Sequence, residues 1–136
     1  MIQYFTDVSK LHPRQLEGGF FEGWTNPPDT DRHLQILRGS GVVVLALDDD
    51  LVVGFATAIT DGILSAFIPL LEVLPAYRGR GIGTELMHRM LEALAGYADI
   101  DLSCDPDLEP FYARFGMQPG LSMYIRRPAR LSGQSP

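Results

Sequence analysis

The residues with the most to offer chemically lie in one stretch, Val73-Leu74-Pro75-Ala76-Tyr77-Arg78-Gly79-Arg80-Gly81-Ile82-Gly83-Thr84. An apolar run enters it and a helical pattern leaves it. Gly79, Gly81 and Gly83 stand at alternate positions, where the backbone can approach a ligand with no Cβ in between. The first N–H groups of the following helix have no intrahelical acceptor, and the helix dipole favours an anion there. Strand, glycine turn and helix N-terminus in this order form a cradle for a diphosphate. A nucleotide-hydrolysing loop would carry a lysine directly after its glycines, and none follows here. A dinucleotide fingerprint is spaced G-x-G-x-x-G, whereas this one runs G-x-G-x-G from Gly79. Asp99 and Asp101 lie near the distance of a ribose-binding acid, but the surrounding βαβ pattern is missing. The remaining alternative is a glycine-rich turn that holds nothing.

The elements that must position this cradle can be read along the chain. Ile2 to Phe5 reads as a short strand, and Pro13 to Phe21 and Thr30 to Arg38 read as helices. Asp29 stands at an N-cap position and Gly39 where a left-handed C-terminal residue belongs. Between the two helices lies the breaker-rich loop Gly23-Trp24-Thr25-Asn26-Pro27-Pro28. Val42 to Leu47 and Leu51 to Thr60 are β-rich runs joined at Asp48-Asp49-Asp50, a hairpin. Asp61-Gly62 marks the next turn, and Ser65 to Val73 is a strand apolar on both faces and therefore central. From Ile82 to Ala95, the residues Ile82, Leu86, Met90, Leu91 and Leu94 recur at helical spacing, and Gly96 ends the pattern. Ile100 to Cys104 reads as a strand, Leu108 to Phe115 as a helix closed by Gly116, and Leu121 to Ile125 as a last strand. This order predicts an α/β fold: a mixed, largely antiparallel central sheet of about six strands with helices on both faces. One domain over 1–126 and a flexible tail over 127–136 follow from the same pattern.

Composition narrows the function. The chain has 136 residues, 46% of them hydrophobic, enough for one core. A net charge of −6 disfavours sequence-independent binding to nucleic-acid phosphates. No apolar run reaches the roughly 18 residues of a membrane span. The opening residues have neither the basic start nor the apolar stretch of a secretory leader, and Cys104 is the only cysteine, so a cytoplasmic protein is expected. Cys104 reads as a small buried residue. His12, His33 and His88 do not form a metal spacing, His88 belongs on the surface of its helix, and the three aspartates at 48–50 lack the alternation of a calcium loop. No metal site is expected.

Arg78-Gly79-Arg80-Gly81-Ile82-Gly83 resembles the R/Q-x-x-G-x-G/A signature of the GNAT superfamily of acyl-CoA-dependent N-acetyltransferases. Leu71-x-Val73-x-Pro75 is similar to that family's fourth strand entering the loop. Pro110-Phe111-Tyr112-Ala113-Arg114-Phe115-Gly116-Met117 resembles its late F-Y-x-x-x-G-F helix. The likeness runs over roughly residues 40 to 126.

The resemblance implies acetyl-CoA as co-substrate and an amine as acceptor. It places the pyrophosphate on the backbone amides of Arg78, Gly79, Arg80, Gly81, Ile82 and Gly83, with Thr84 next in line. Arg78 and Arg80 either add charge there or are solvated surface arginines. The pantetheine arm would pair with the strand edge around Leu71 and Val73. Tyr112 is the implied general acid for the departing thiolate, the alternative being a core tyrosine. An amine must lose a proton before it attacks, and Glu72 is the one ionisable side chain in the fourth strand. Glu72 is therefore the base candidate, against a strand-end carboxylate paired with an arginine. Asp105 stands where relatives carry an asparagine that contacts the CoA arm, and it keeps only the acceptor half of that amide. Trp24, Asn26 and Asp61 are candidates to line the acceptor pocket. Pro69 inside a central strand, with no N–H for a ladder, fits a sheet that opens for a ligand. The reading is direct acetyl transfer with no covalent enzyme intermediate. A non-catalytic acyl-CoA sensor of the same fold is the alternative, and the sequence allows a homodimer.

Overall fold

The computed structural model describes residues 1–128. The chain divides into two compact units, Met1–Ser103 and the residues from Cys104 onward. The first unit holds β1 (Ile2–Phe5), a 3-10 turn (Pro13–Leu16), α1 (Thr30–Gly39), β2 (Val42–Asp48), β3 (Leu51–Thr60), β4 (Ser65–Val73), a second 3-10 turn (Pro75–Tyr77), α2 (Ile82–Ala93) and β5 (Asp99–Asp101). The second holds a 3-10 turn (Pro106–Leu108) running into α3 (Glu109–Ala113).

The five strands lie in the order β1-β2-β3-β4-β5. The first four are antiparallel neighbours joined by short connections or by α1. Only β5 runs parallel, to β4, because α2 carries the chain back across the sheet. Successive residues of β3 show the two layers. A Cβ on Gly54 would meet Ile82 and Leu86 of α2 at 3.2 and 3.1 Å. Phe55 points the other way, into a cluster with Leu11, Leu16, Phe21, Leu34, Leu37, Val43 and Leu45. Helical elements therefore cover both faces: α2 one, α1 and the first 3-10 turn the other.

Several elements depart from the sequence reading, each for a local reason. The helix expected over Pro13–Phe21 shrinks to one turn. His12 and Gln15 cap it reciprocally, and Gly19 at φ +103° then ends it. Gly39 stays inside α1, because Ser40 closes the helix by donating its hydroxyl to Ile36 O at 2.7 Å. At the other end Asp29 caps as expected, its Oδ1 accepting from Arg32 N–H at 2.8 Å. The helix after the glycine turn ends at Ala93, with Leu94 at its C-cap. Leu121–Ile125 is not a strand, so among the described residues the sheet has five strands and not six. A strand needs a partner edge, and among the described residues this stretch has no ladder. The tail expected over 127–136 lies outside the described residues from position 129 on. Among the described residues no helix is long and apolar enough to cross a membrane.

Candidate active site

β4 carries an open edge. Its first residues pair with β5 at Ser65–Asp99, Ala66–Ile100 and Phe67–Asp101, and β5 goes no further. From Leu70 to Val73 the strand pairs, among the described residues, with β3 alone. Leu74 N–H donates to Val53 O at 2.8 Å, so by strand alternation Leu74, Glu72 and Leu70 turn their backbone groups toward β3. Leu71 and Val73 turn theirs to the open side. Pro69 sits at an irregularity in register, where Thr57–Leu70 gives way to Ile59–Phe67.

The chain leaves this edge through Pro75–Tyr77 into the glycine turn. Gly79 (φ +78°) and Gly81 (φ +81°) both adopt the left-handed region, which is why no other residue type fits easily. A Cβ on either would meet nothing within 4 Å, so the space before them is open. Gly81 is the N-cap of α2. The helical ladder starts with Glu85 N–H to Gly81 O at 3.0 Å, leaving the amides of Ile82 and Gly83 ahead of it. The turn is braced from outside. Tyr77 donates its hydroxyl to Asp48 Oδ2 at 2.7 Å, and Arg80 lies 4.9 Å over the Tyr77 ring. Arg78 donates through Nε to Val73 O at 3.1 Å and lies 4.0 Å from Glu22. The acceptor Asp48 therefore serves the cradle, while Asp50 accepts from Gln15 at 2.9 Å.

Glu72 faces the other side of the sheet from α2, opposite Phe55. Its Oε1 accepts from Phe21 N–H at 2.9 Å. Burial pushes its carboxyl above the usual range, against the Phe21 hydrogen bond and the Arg78 charge. Phe21 takes φ +65°, unusual for a bulky side chain, and the carboxylate holds the amide that this conformation presents. Around it is an aromatic group. His33 lies 4.8 Å from Phe21, 4.5 Å from Phe55 and 5.4 Å from Phe20 between ring centroids.

Two residues on this face were not singled out from the sequence. His33 and Thr57 are fully buried, and neither His33 Nε2 nor Thr57 Oγ1 finds a hydrogen-bond partner among the described residues. Burial lowers the His33 pKa to about 4, so the ring is neutral near pH 7. The signal available was position: His33 precedes Leu34 and stands four before Leu37 on the buried face of α1.

The expected lining residues sit as follows. Trp24 is half-exposed and packs 4.9 Å from Phe21. Asn26 is exposed at φ +57°. Asp61 Oδ1 accepts from the amides of Ile63, Leu64 and Ser65 at 2.8 to 3.2 Å, which holds its carboxyl below the usual range. His88 is exposed on α2, as expected.

In the second unit, Tyr112 is half-buried beside Phe111, with ring centroids 4.9 Å apart. Burial, then the neighbouring Cys104, raises its hydroxyl pKa, so it stays a proton donor near pH 7. Cys104 is exposed, not buried as expected, because its strand already ends at Asp101. Asp105 is the exposed N-cap of the turn that leads into α3. Among the described residues no group of three His, Cys, Asp or Glu is placed to hold a metal.

The family model for the GNAT acetyltransferases matches residues 7–117. The chain belongs to that family. A Deinococcus radiodurans R1 crystal structure named for an acetyltransferase is 47% identical, covering 93% of this chain and 88% of that one, with a TM-score of 0.88. A GNAT-family acetyltransferase from Streptococcus pneumoniae TIGR4 is 30% identical over 93% of this chain and 99% of its own, at TM-score 0.72. Among curated relatives, the uncharacterised N-acetyltransferase ycf52 of Porphyra purpurea is 29% identical over 69% of this chain. The match spans 57% of that relative's length. The GNAT match takes in the glycine turn, β4 and Tyr112, the segments that carried the resemblance.

Proposed function

We propose that the protein transfers an acetyl group from acetyl-CoA directly to an amine of a small molecule or peptide. The observation that carries this reading is the cradle: two left-handed glycines, open space before them, leading amides of α2, and a β4 edge that β5 leaves uncovered around Leu71, with Val73 O taken by Arg78 Nε. Amides of Gly79 to Gly83, with Thr84 beside them, hold the pyrophosphate, and the edge takes the pantetheine amides; Arg78 N–H, expected among the donors, is already given to Pro75 O at 3.3 Å. Asp105 contributes a carboxylate acceptor to the same arm.

The amine nitrogen attacks the thioester carbonyl, forming the C–N bond as the C–S bond breaks. Tyr112 gives its hydroxyl proton to the thiolate and regains one from solvent; its raised pKa keeps the hydroxyl protonated before transfer. The proton shed by the amine goes to Glu72, directly or through water. A carboxylate with raised pKa is the better base near neutrality. Trp24, Asn26 and Asp61 are the proposed rim of the acceptor site. The protein is proposed to act in the cytoplasm.

A calorimetric titration with acetyl-CoA tests the cradle, one site per chain being the expected result. Release of CoA across a panel of amines then separates an enzyme from an acyl-CoA sensor, which binds and releases none. Tyr112→Phe should lower turnover by roughly a hundredfold or more while leaving acetyl-CoA affinity unchanged. An unchanged rate would remove Tyr112 from the mechanism.

A further inference from the structure

The side-chain face of the sheet holds polar groups that its own packing leaves unserved. His33 is 2% exposed and Thr57 is wholly buried, yet His33 Nε2 and Thr57 Oγ1 find no hydrogen-bond partner among the described residues. A buried polar atom left unpaired costs more than its hydrogen bond would have contributed, so proteins rarely keep one without a use. A further cost lies beside them. Phe21 takes φ +65°, a strained conformation for so large a side chain.

One short segment, Gly19-Phe20-Phe21-Glu22-Gly23, links these costs. Its Phe20 and Phe21 rings lie 5.4 and 4.8 Å from His33, and 5.0 and 6.1 Å from Phe55. Phe55 and Thr57 are two apart in β3 and so share a face. Glu72 stands opposite Phe55, which makes Glu72 and Thr57 diagonal neighbours, roughly 7 Å apart. Gly19 at φ +103° and Gly23 at φ +83° bound the segment with backbone that glycine adopts freely. Its middle is tied down by Phe21 N–H donating to Glu72 Oε1 at 2.9 Å. A ligand group that takes the Glu72 carboxylate for itself frees Phe21 from its strained φ and uncovers His33.

The chemistry of the uncovered groups defines the ligand. An ammonium is the natural partner of Glu72. The Thr57 hydroxyl and the neutral His33 ring can each donate and accept, so a group that does both serves either of them, and that group is a hydroxyl. A ligand carboxylate would meet Glu72 on the same face. A second ammonium would find no second carboxylate among Val43, Leu45, Phe55, Thr57, Leu70 and Glu72, which share that face.

The geometry points to an amino alcohol as the acceptor, with His33 and Thr57 as the specificity-determining residues that hold its hydroxyl. Glu72 meets its ammonium, and the 19–23 segment is the gate that its binding opens. The assignment of this ligand as acceptor rests on the acetyl-transfer reading above.

CoA release is measured on ethanolamine, propanolamine and butanolamine, each against the alkylamine that carries a methyl group in place of the hydroxyl. The best amino alcohol should exceed its partner in kcat/KM by about a hundredfold or more, as expected where buried polar groups await a hydroxyl. Thr57→Val and His33→Phe each replace an unpaired polar group by an apolar one of similar shape. Both should therefore fold with an unchanged or raised unfolding midpoint, and each should bring the ratio down to about tenfold or less. A wild-type ratio near one overturns the proposal, as does a high ratio that both variants keep. Amide hydrogen exchange reads the gate: Phe21 N–H should exchange faster with the preferred amino alcohol bound, and unchanged or slower exchange overturns the opening. If no amine releases CoA, the acetyl-transfer reading fails, and calorimetry on the same pairs still decides the subsite. Tighter binding of the hydroxyl member then supports it, and equal binding or none overturns it.

Discussion

Gly54 and Phe55 are neighbours in β3, and between them they divide the molecule's chemistry. On the Gly54 side the sheet meets α2, and everything offered to a ligand is backbone: strand edge, left-handed glycines, helix amides. On the Phe55 side the offering is side chains, with Glu72, His33 and Thr57 set among Phe20, Phe21 and Phe55. Under the acetyl-transfer proposal, the backbone face would hold the phosphates and amides of the co-substrate. The side-chain face would be the one that meets the acceptor.

The contrast can be broken most forcefully at Phe55 itself. Phe55→Ala should cost about 4 kcal/mol in urea unfolding, since the ring is fully buried among three aromatic partners. A loss below about 1 kcal/mol would mean that this face is loosely packed. Next in size is a pH effect that only the side-chain face should show. His33 has its pKa lowered from 6.5 to about 4, so its contribution is complete above pH 6.5 and is lost as pH falls toward 4. That amounts to about 3 kcal/mol, and His33→Phe should flatten this part of the stability profile. Identical slopes for both proteins would show that the ring is protonated without cost.

On the backbone face, Gly81→Val forces a β-branched residue to a φ of +81°. Strain alone is about 1–2 kcal/mol, and acetyl-CoA affinity by calorimetry should fall by roughly tenfold or more. Unchanged affinity would place the pyrophosphate elsewhere. The smallest effect sharpens the role of Glu72. Glu72→Gln keeps an oxygen for Phe21 N–H and removes a desolvated charge, so stability should move by no more than about 0.5 kcal/mol. CoA release should fall nonetheless. A large stability loss would make Glu72 a structural anchor first.

The same division explains what the sequence made legible. Gly79 and Gly81 act through φ, a property of residue type, so their spacing could be read directly. α2 followed from its apolar stripe, and β2 to β4 from β-rich runs between turn residues. The partners of the other face lie far apart in the chain. Nothing near Glu72 in sequence announces Phe21, 51 positions away. His33 carries no metal spacing and so gave no signal beyond its place on the buried side of α1. Two misread elements have a common cause. The helix expected at Pro13–Phe21 and the strand expected at Leu121–Ile125 have suitable composition, but glycines cut the first short and the second joins no ladder among the described residues. Cys104 followed from that kind of error, being placed in a strand that stops at Asp101.

The open edge of β4 has a consequence for solubility. An exposed strand edge is a template for any extended chain and hence an aggregation hazard. Here the hazard is confined to a few residues. Pro69 has no N–H to offer, β5 covers the strand up to Phe67, and the Arg78 guanidinium already occupies Val73 O at 3.1 Å. What remains is long enough to hold two amides of a flexible arm and too short to seed a sheet.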